Sequence, residues 1–303
     1  MLNMSRHFFL FLSKNKALNK SAKKWGLRLG AAKVVAGVTI DEVMQSIQQL
    51  NEQGLKATID HLGEFVTERE EAENAGSACL DILEAIKRNN IDSHVSVKLT
   101  KLGLDISREL CMENMRSILD VAKTNGNFIN IDMEDYAHYH ETLDILLELR
   151  QKYDNVGTVM QSYLRSGLDD LDPLQGIPLR IVKGAYQEDA AVAYQDKEDI
   201  DANFLCMVEK HLRNGGHTAI ATHDHTIIEA VQTFTRENNI PTEQFEFQML
   251  YGFRQELQHQ LADEGYTFRT YVPFGQDWYG YFMRRLAERP QNIVFAVRGM
   301  ISK

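Results

Sequence analysis

Two adjacent arginines, Arg284 and Arg285, occupy the helix-like segment YGYFMRRLAER, with Glu288 one turn beyond the first. A guanidinium is a planar fork of donors that meets a carboxylate through two parallel hydrogen bonds. Just upstream, TFRTYVPFG (Thr267 to Gly275) reads as a strand closed by a Pro/Gly turn. A strand, a turn and a helix presenting paired guanidinium groups form a clamp for a small carboxylate. A solvated arginine pair on a surface helix has the same local pattern, so the rest of the chain must decide.

Other polar residues recur at the ends of apolar, β-rich runs. They are Asp60, followed by Glu64, then Lys98, Asp132 with Glu134, and Gln161. Further on come Arg180, Lys183, Ala185 and Tyr186, then Thr222, His223, Asp224 and His225, then Gln248 and Leu250, and finally Arg269 and Tyr271. Apolar runs ending repeatedly in charged or amide groups point to a site rather than a plain core. Cations at Lys98, Arg180, Lys183, Arg284 and Arg285 suit an anionic ligand or a phosphate-bearing cofactor. Tyr186, Tyr271, Tyr279 and Tyr281 can wall an apolar ring. His223 and His225 alternate, and on one strand would face the same way, as in metal-dependent barrel hydrolases. No third histidine ends another strand, although His61 follows the first, so metal hydrolysis is the secondary reading.

The elements that must hold these residues alternate along the chain. The β-rich runs are LKATID (Leu55 to Asp60), HVSVKL (His94 to Leu99), FINIDM (Phe128 to Met133) and GTVMQSY (Gly157 to Tyr163). LRIVKGAY (Leu179 to Tyr186), TAIATHD (Thr218 to Asp224), FEFQML (Phe245 to Leu250) and FRTYV (Phe268 to Val272) follow. Helical patterns lie between them, such as Ser107 to Gly126, with Ser107 or Asp105 as N-cap and Gly126 as stop. Eight alternations predict a (β/α)₈ TIM-type barrel over 41–303, preceded by an N-terminal helical extension over 1–40. An open doubly wound sheet is the alternative, but no GxGxxG or GxxxxGK[ST] loop supports it. In such a barrel the reacting groups gather at the carboxyl ends of the strands.

Composition narrows the class. The 303 residues are 44% hydrophobic and 25% charged with only 5 prolines, which favours one compact unit. A net charge of -10 argues against nucleic acid as a partner. The charge is uneven: before Asp41 lie Arg6, Lys14, Lys16, Lys20, Lys23, Lys24, Arg28 and Lys33, and no acidic residue. The run Phe8 to Leu12 is too short to span a bilayer. Residues 1–35 read as a basic amphipathic helix that packs on the body or, alternatively, rests peripherally on an anionic membrane surface. Cys79, Cys111 and Cys206 show no metal spacing and read as buried, reduced thiols of a cytoplasmic protein.

The motifs SVKLTKLG (Ser96 to Gly103), NIDMED (Asn130 to Asp135), RIVKGAY (Arg180 to Tyr186) and ATHD (Ala221 to Asp224) resemble those of the proline dehydrogenase family. So do FEFQMLYG (Phe245 to Gly252), YVPFG (Tyr271 to Gly275) and YFMRRLAER (Tyr281 to Arg289). The likeness runs from about Val34 to the end, and at this length resembles the monofunctional bacterial form. The resemblance implies an FAD-dependent oxidation of L-proline to 1-pyrroline-5-carboxylate, with hydride passing from proline to flavin N5. Electrons then pass to quinone, and the product to a separate 1-pyrroline-5-carboxylate dehydrogenase.

Site roles follow from the same resemblance. Arg284 and Arg285 bind the substrate carboxylate, with Lys98 completing the positive clamp. Ala185, Tyr186, Leu250, Tyr271 and Tyr281 surround the proline ring, and Asp132 holds the Tyr271 hydroxyl. Glu64 pairs with Arg284 as a gate on closure. Arg180 lies near flavin N5 and Gln161 at the pyrimidine edge. Lys183, Thr222, His223, Gln248 and Glu288 meet the ribityl, phosphate and adenosine parts, and Asp132, Ala185 and Arg285 also border the cofactor. No metal is expected. The flavin barrel of methylenetetrahydrofolate reductase is an alternative on the same fold.

Overall fold

The computed structural model describes residues 31–288, with the side chains of 31–283. Eight parallel strands close into a barrel in strict chain order: β1 (Lys56–His61), β2 (Ser93–Val97), β3 (Ile129–Ile131), β4 (Val156–Gln161), β5 (Leu179–Val182), β6 (Thr218–Ala221), β7 (Phe245–Leu250) and β8 (Phe268–Phe274). Closure comes from β1 against β8, in register from Lys56 opposite Arg269 to His61 opposite Phe274. The closed order excludes the open sheet.

Helix α1 (Ile40–Glu52) precedes β1, and α2 (Arg69–Arg88), α3 (Arg108–Thr124) and α4 (Tyr139–Arg150) follow β1, β2 and β3. Helices α5 (Lys197–Arg213), α6 (His225–Glu237), α7 (Gln255–Asp263) and α8 (Trp278–Glu288) follow β5, β6, β7 and β8. The expected alternation lapses once. Between β4 and β5 only a 3-10 segment, Asp169–Leu174, with Pro173 inside it, stands in for a helix. Proline lacks the amide that a continuing α-helix needs.

Local signals explain the helix ends. Ser107 caps α3 by accepting the Leu110 amide, and Gly126, at φ +68, turns the chain just after it. Asp105 is not the cap; it bonds His138 instead. Thr39 and Glu42 form a reciprocal capping box at α1. Helix faces and outward strand residues form one apolar core, including Ile47, Ile59, Ile82, Leu119, Ile131, Ile181 and Phe247.

Several strands are shorter than expected, because their last residues turn into the loops that carry the site. The runs ending at Tyr186 and Asp224 stop as strand at Val182 and Ala221. His223 therefore lies in a loop and His225 is the first residue of α6, so the two do not share a strand face. Among the described residues no cluster of three metal-ligating side chains occurs.

Most of the basic N-terminal segment, residues 1–30, lies outside the described residues, as do 289–303. Its described end, the 3-10 turn Ala31–Lys33 and the strap to Val38, packs on the barrel. Ala31 and Val35 are buried with Leu62, Trp278, Tyr279 and Phe282, and the Ala36 amide donates to Pro273 O at 2.9 Å. Among the described residues no helix is long and apolar enough to cross a membrane. All three thiols are free; Cys79 and Cys111 are buried, but Cys206 is exposed, correcting the expectation that all three are buried.

Candidate active site

Polar residues spaced by two on successive strands point into the barrel. Thr58 and Asp60 do so on β1, Ser96 and Lys98 on and just after β2, and Asn130 and Asp132 on and just after β3. The Thr58 and Ser96 hydroxyls meet at 3.3 Å, and Asn130 Nδ2 donates to Asp132 Oδ1 at 3.4 Å. From β5, Arg180 reaches across the lumen, donating from Nη1 to Asp132 Oδ1 at 2.8 Å and from Nη2 to Ser96 Oγ at 3.0 Å. Its guanidinium carbon lies 5.1 Å from the ring centroid of Tyr271 on β8.

Asp132 is the hub. It is 7% exposed and also takes the Tyr271 hydroxyl at 2.7 Å and Lys98 Nζ at 3.1 Å, both on Oδ2. Burial alone would raise its carboxyl, but Lys98, Arg180 and the Tyr271 hydroxyl together hold it below the usual range. Lys98 Nζ also pairs with Asp60 Oδ1 at 2.8 Å. Burial opposes its charge, yet Asp60, Tyr271 and Asp132 raise it well above an ordinary lysine. Lys98 is therefore no free cation, and two carboxylates share it. Burial and the neighbouring Asp132 likewise push the Tyr271 phenol well up, so it stays protonated and donates.

The second half of the rim carries the residues expected at a cofactor. Gln161 donates from Nε2 to Glu134 O at 3.1 Å and Met133 O at 3.4 Å. Gln248 donates from Nε2 to Glu246 Oε1. Three buried atoms here have no hydrogen-bond partner: Gln161 Oε1, Arg180 Nε and Gln248 Oε1. Lys183 joins an ion cluster with Asp201, Asp224 and Lys197, bonding Asp224 Oδ2 at 3.3 Å. Burial works against the Asp224 carboxylate, but Lys197 and Lys183 bring it down to about 2. Thr222 is buried and accepts the Asp224 amide, while His223 Nε2 accepts the Leu250 amide at 3.1 Å. That hydrogen bond ties the His223 ring to the end of β7.

Other expected residues lie around this rim. Leu250 ends β7, Tyr186 is half-buried in the loop after β5, and Ala185 beside it is exposed. Glu64 is half-buried in the loop after β1, and Tyr281 is buried in the apolar cluster under α8. Arg284, Arg285 and Glu288 belong to α8, but their side chains lie outside the described residues, and so does the Glu64–Arg284 pair. Arg269 moves to the opposite end. It sits opposite Lys56, the first residue of β1, and forms a buried pair with Glu246 at 2.8 Å. It belongs to the barrel's structural floor, not to the rim.

Glu134 acquires an unexpected environment. It is 2% exposed and takes both the Thr100 amide, at 3.1 Å, and the Thr100 hydroxyl, at 2.5 Å. Burial outweighs these bonds and pushes its carboxyl up to about 7. Thr100, Ser96 and Asn130 are partners that strand-end reading misses. The signal was present as polar residues at every second position inside otherwise apolar runs.

The family model for proline dehydrogenase matches residues 43–298. The chain belongs to the proline dehydrogenase family. Proline dehydrogenase 1 of Bacillus subtilis subsp. natto is 47% identical over 302 residues, covering 99% of this chain and 100% of that protein. Proline dehydrogenase of Deinococcus radiodurans is 42% identical over 290 residues, covering 92% and 91%. Among solved structures, proline utilization A (PutA) from Bdellovibrio bacteriovorus inactivated by N-propargylglycine superposes with a TM-score of 0.83 at 25% identity. That match covers 98% of this chain and 38% of the PutA chain. The barrel described here is the fold this chain shares with that protein.

Proposed function

We propose that this chain oxidises L-proline to 1-pyrroline-5-carboxylate with FAD as its redox group. The family supplies the reaction class; the observation that carries the cofactor is the trio of unsatisfied buried atoms on β4, β5 and β7. Buried polar groups in native proteins are seldom left without partners, and such exceptions need an explanation. Two acceptors, Gln161 Oε1 and Gln248 Oε1, and one donor, Arg180 Nε, fit the mixed donor and acceptor edges of a flavin. In this reading Gln161 meets the pyrimidine edge and Arg180 the region of N5. Lys183, Thr222, His223, Gln248 and Glu288 serve the ribityl, phosphate and adenosine parts. Asp132, Ala185 and Arg285 border the same group. A flavin held by these residues would supply the hydride acceptor for proline Cδ.

The remaining work is done by the chain itself. Arg284 and Arg285 grip the carboxylate, and Ala185, Tyr186, Leu250, Tyr271 and Tyr281 wall the ring. The Asp132 hub keeps Tyr271 and Arg180 in fixed orientation, which favours one presentation of the substrate. Lys98 holds its proton under two carboxylates, and Asp132 is kept ionised by three donors, so neither serves as a strong base for the proline nitrogen. The N–H proton then passes to water. Glu64 closes over the bound substrate by pairing with Arg284.

The reading extends to a cytoplasmic enzyme that hands electrons to quinone at the inner face of the cell membrane, with the basic residues before Asp41 favouring peripheral contact. Its product goes to a separate 1-pyrroline-5-carboxylate dehydrogenase. The test is optical. Purified protein should be yellow with a flavin spectrum that bleaches anaerobically on adding L-proline. A colourless protein, or a flavin indifferent to proline, would end the proposal.

A further inference from the structure

The loop after β1 carries Glu64 between a glycine at positive φ and a phenylalanine in the left-handed region that such a residue disfavours. Gly63 has φ +137, and a Cβ there would sit 3.0 Å from Lys101 Cε. Phe65 has φ +53, uncommon for a bulky residue, and the residue is 39% exposed. Such a conformation persists only where the surroundings over-determine it. Four contacts from neighbouring segments do so. Lys101 Nζ donates to His61 O at 2.5 Å and Leu62 O at 3.1 Å. The Phe65 amide donates to Thr100 Oγ1 at 3.0 Å, and the Phe65 ring lies 6.0 Å from that of His138.

The Thr100 hydroxyl has one proton and two lone pairs. Glu134 Oε2 takes the proton, which leaves a lone pair turned toward the Phe65 amide. Glu134 Oε1 takes the Thr100 amide as well, so the threonine is held at two points. Thr100 is fully buried and Glu134 nearly so, and water does not compete for either group. The backbone carbonyl of Glu134 receives Gln161 Nε2, the residue whose free Oε1 faces the proposed cofactor. One buried residue thus ties the loop bearing Glu64 to the cofactor side of the rim.

We propose that Glu134 and Thr100 are positioning residues that fix the Leu62–Phe65 turn and thereby aim the Glu64 carboxylate across the barrel mouth. The idea rests on the reading of Glu64 as the gate over bound proline. It assigns no contact between Glu134 or Thr100 and the substrate. Their effect runs through backbone geometry one residue away from Glu64.

The test compares Thr100→Val, which has no hydroxyl, with Thr100→Ser, which keeps it, in the flavin-loaded enzyme. Amide exchange at Phe65 should accelerate at least tenfold in Thr100→Val and stay near wild type in Thr100→Ser. The KM for L-proline should rise at least fivefold in Thr100→Val, with the limiting rate and flavin content within twofold. In a Glu64→Gln background the same substitution should change KM less than twofold, because the two act in series. Should Thr100→Val not fold, Glu134→Gln carries the test, with at least threefold faster exchange at Phe65. Unchanged Phe65 exchange, or an undiminished KM effect in the Glu64→Gln background, overturns the proposal. Absence of proline turnover in the wild type overturns instead the reading on which it rests.

Discussion

Asp132 receives four donors, and that makes its removal the most informative perturbation of the rim. Oδ2 serves Tyr271 at 2.7 Å and Lys98 at 3.1 Å; Oδ1 serves Arg180 at 2.8 Å and Asn130 at 3.4 Å. In Asp132→Asn the shape survives, but one of those oxygens becomes an NH₂ that cannot accept. Either orientation of the amide sets a donor against a buried cation. Breaking a buried pair from one side costs about 3–5 kcal/mol. In Tyr271→Phe only the phenol oxygen is lost. The bond between Tyr271 and the carboxylate is charge-assisted, a class worth about 1.5–3 kcal/mol. Urea unfolding of the two single variants and the double variant, at one pH, yields a coupling free energy that isolates this contact. The expected coupling is about 1.5–3 kcal/mol, with the double variant less damaged than the sum of the singles. Additivity within about 0.5 kcal/mol would refute the hub, because independent sites behave that way.

Two further variants probe titration and the barrel floor. Burial raises Glu134 from an ordinary 4.5 to about 7, so the folded chain holds its proton more tightly than the unfolded one. Its contribution to stability is full below about pH 4.5 and declines by about 3 kcal/mol as pH climbs to 7. Glu134→Gln should remove that decline, and parallel stability profiles for variant and wild type would contradict the assignment. Arg269→Met leaves Glu246 buried without its cation and should cost about 3–5 kcal/mol in unfolding free energy. Burial would raise Glu246, but Arg269 brings it down to about 2, so the pair's stability is present above about pH 4.5 and lost as pH falls toward 2. A variant as stable as wild type with the same acid limb would dismiss the pair as a structural element.

The fold was legible because parallel barrel strands are short apolar runs, and all eight produce strands in the expected order. FEFQML matched β7 end to end. The runs at β5 and β6 overshot, because Lys183 to Tyr186 and Thr222 to Asp224 leave the ladder to form the rim. The absent helix between β4 and β5 was announced by Pro173 and the acidic run Asp169, Asp170 and Asp172, whose meaning is local backbone chemistry rather than periodicity. At the site, Lys98, Asp132, Arg180 and Tyr271 were readable as strand-end polar residues. Their partnership was not, because it depends on groups meeting across the lumen from β2, β3, β5 and β8. Arg269 lies at the opposite end because it is only the second residue of β8, near the amino end of that strand. Glu134 is legible as a strand-end carboxylate, but its bond to Thr100 is not, because the two residues lie in different loops.

The central claim is that Arg284 and Arg285 hold the carboxylate of proline so that its ring faces the flavin. Titrating anaerobic flavin reduction with L-proline in Arg285→Met tests it most directly. Loss of one desolvated charge-assisted contact corresponds to about 2–5 kcal/mol, so half-saturation should require at least about 30-fold more proline while flavin stays bound. Half-saturation at the wild-type concentration would contradict the account.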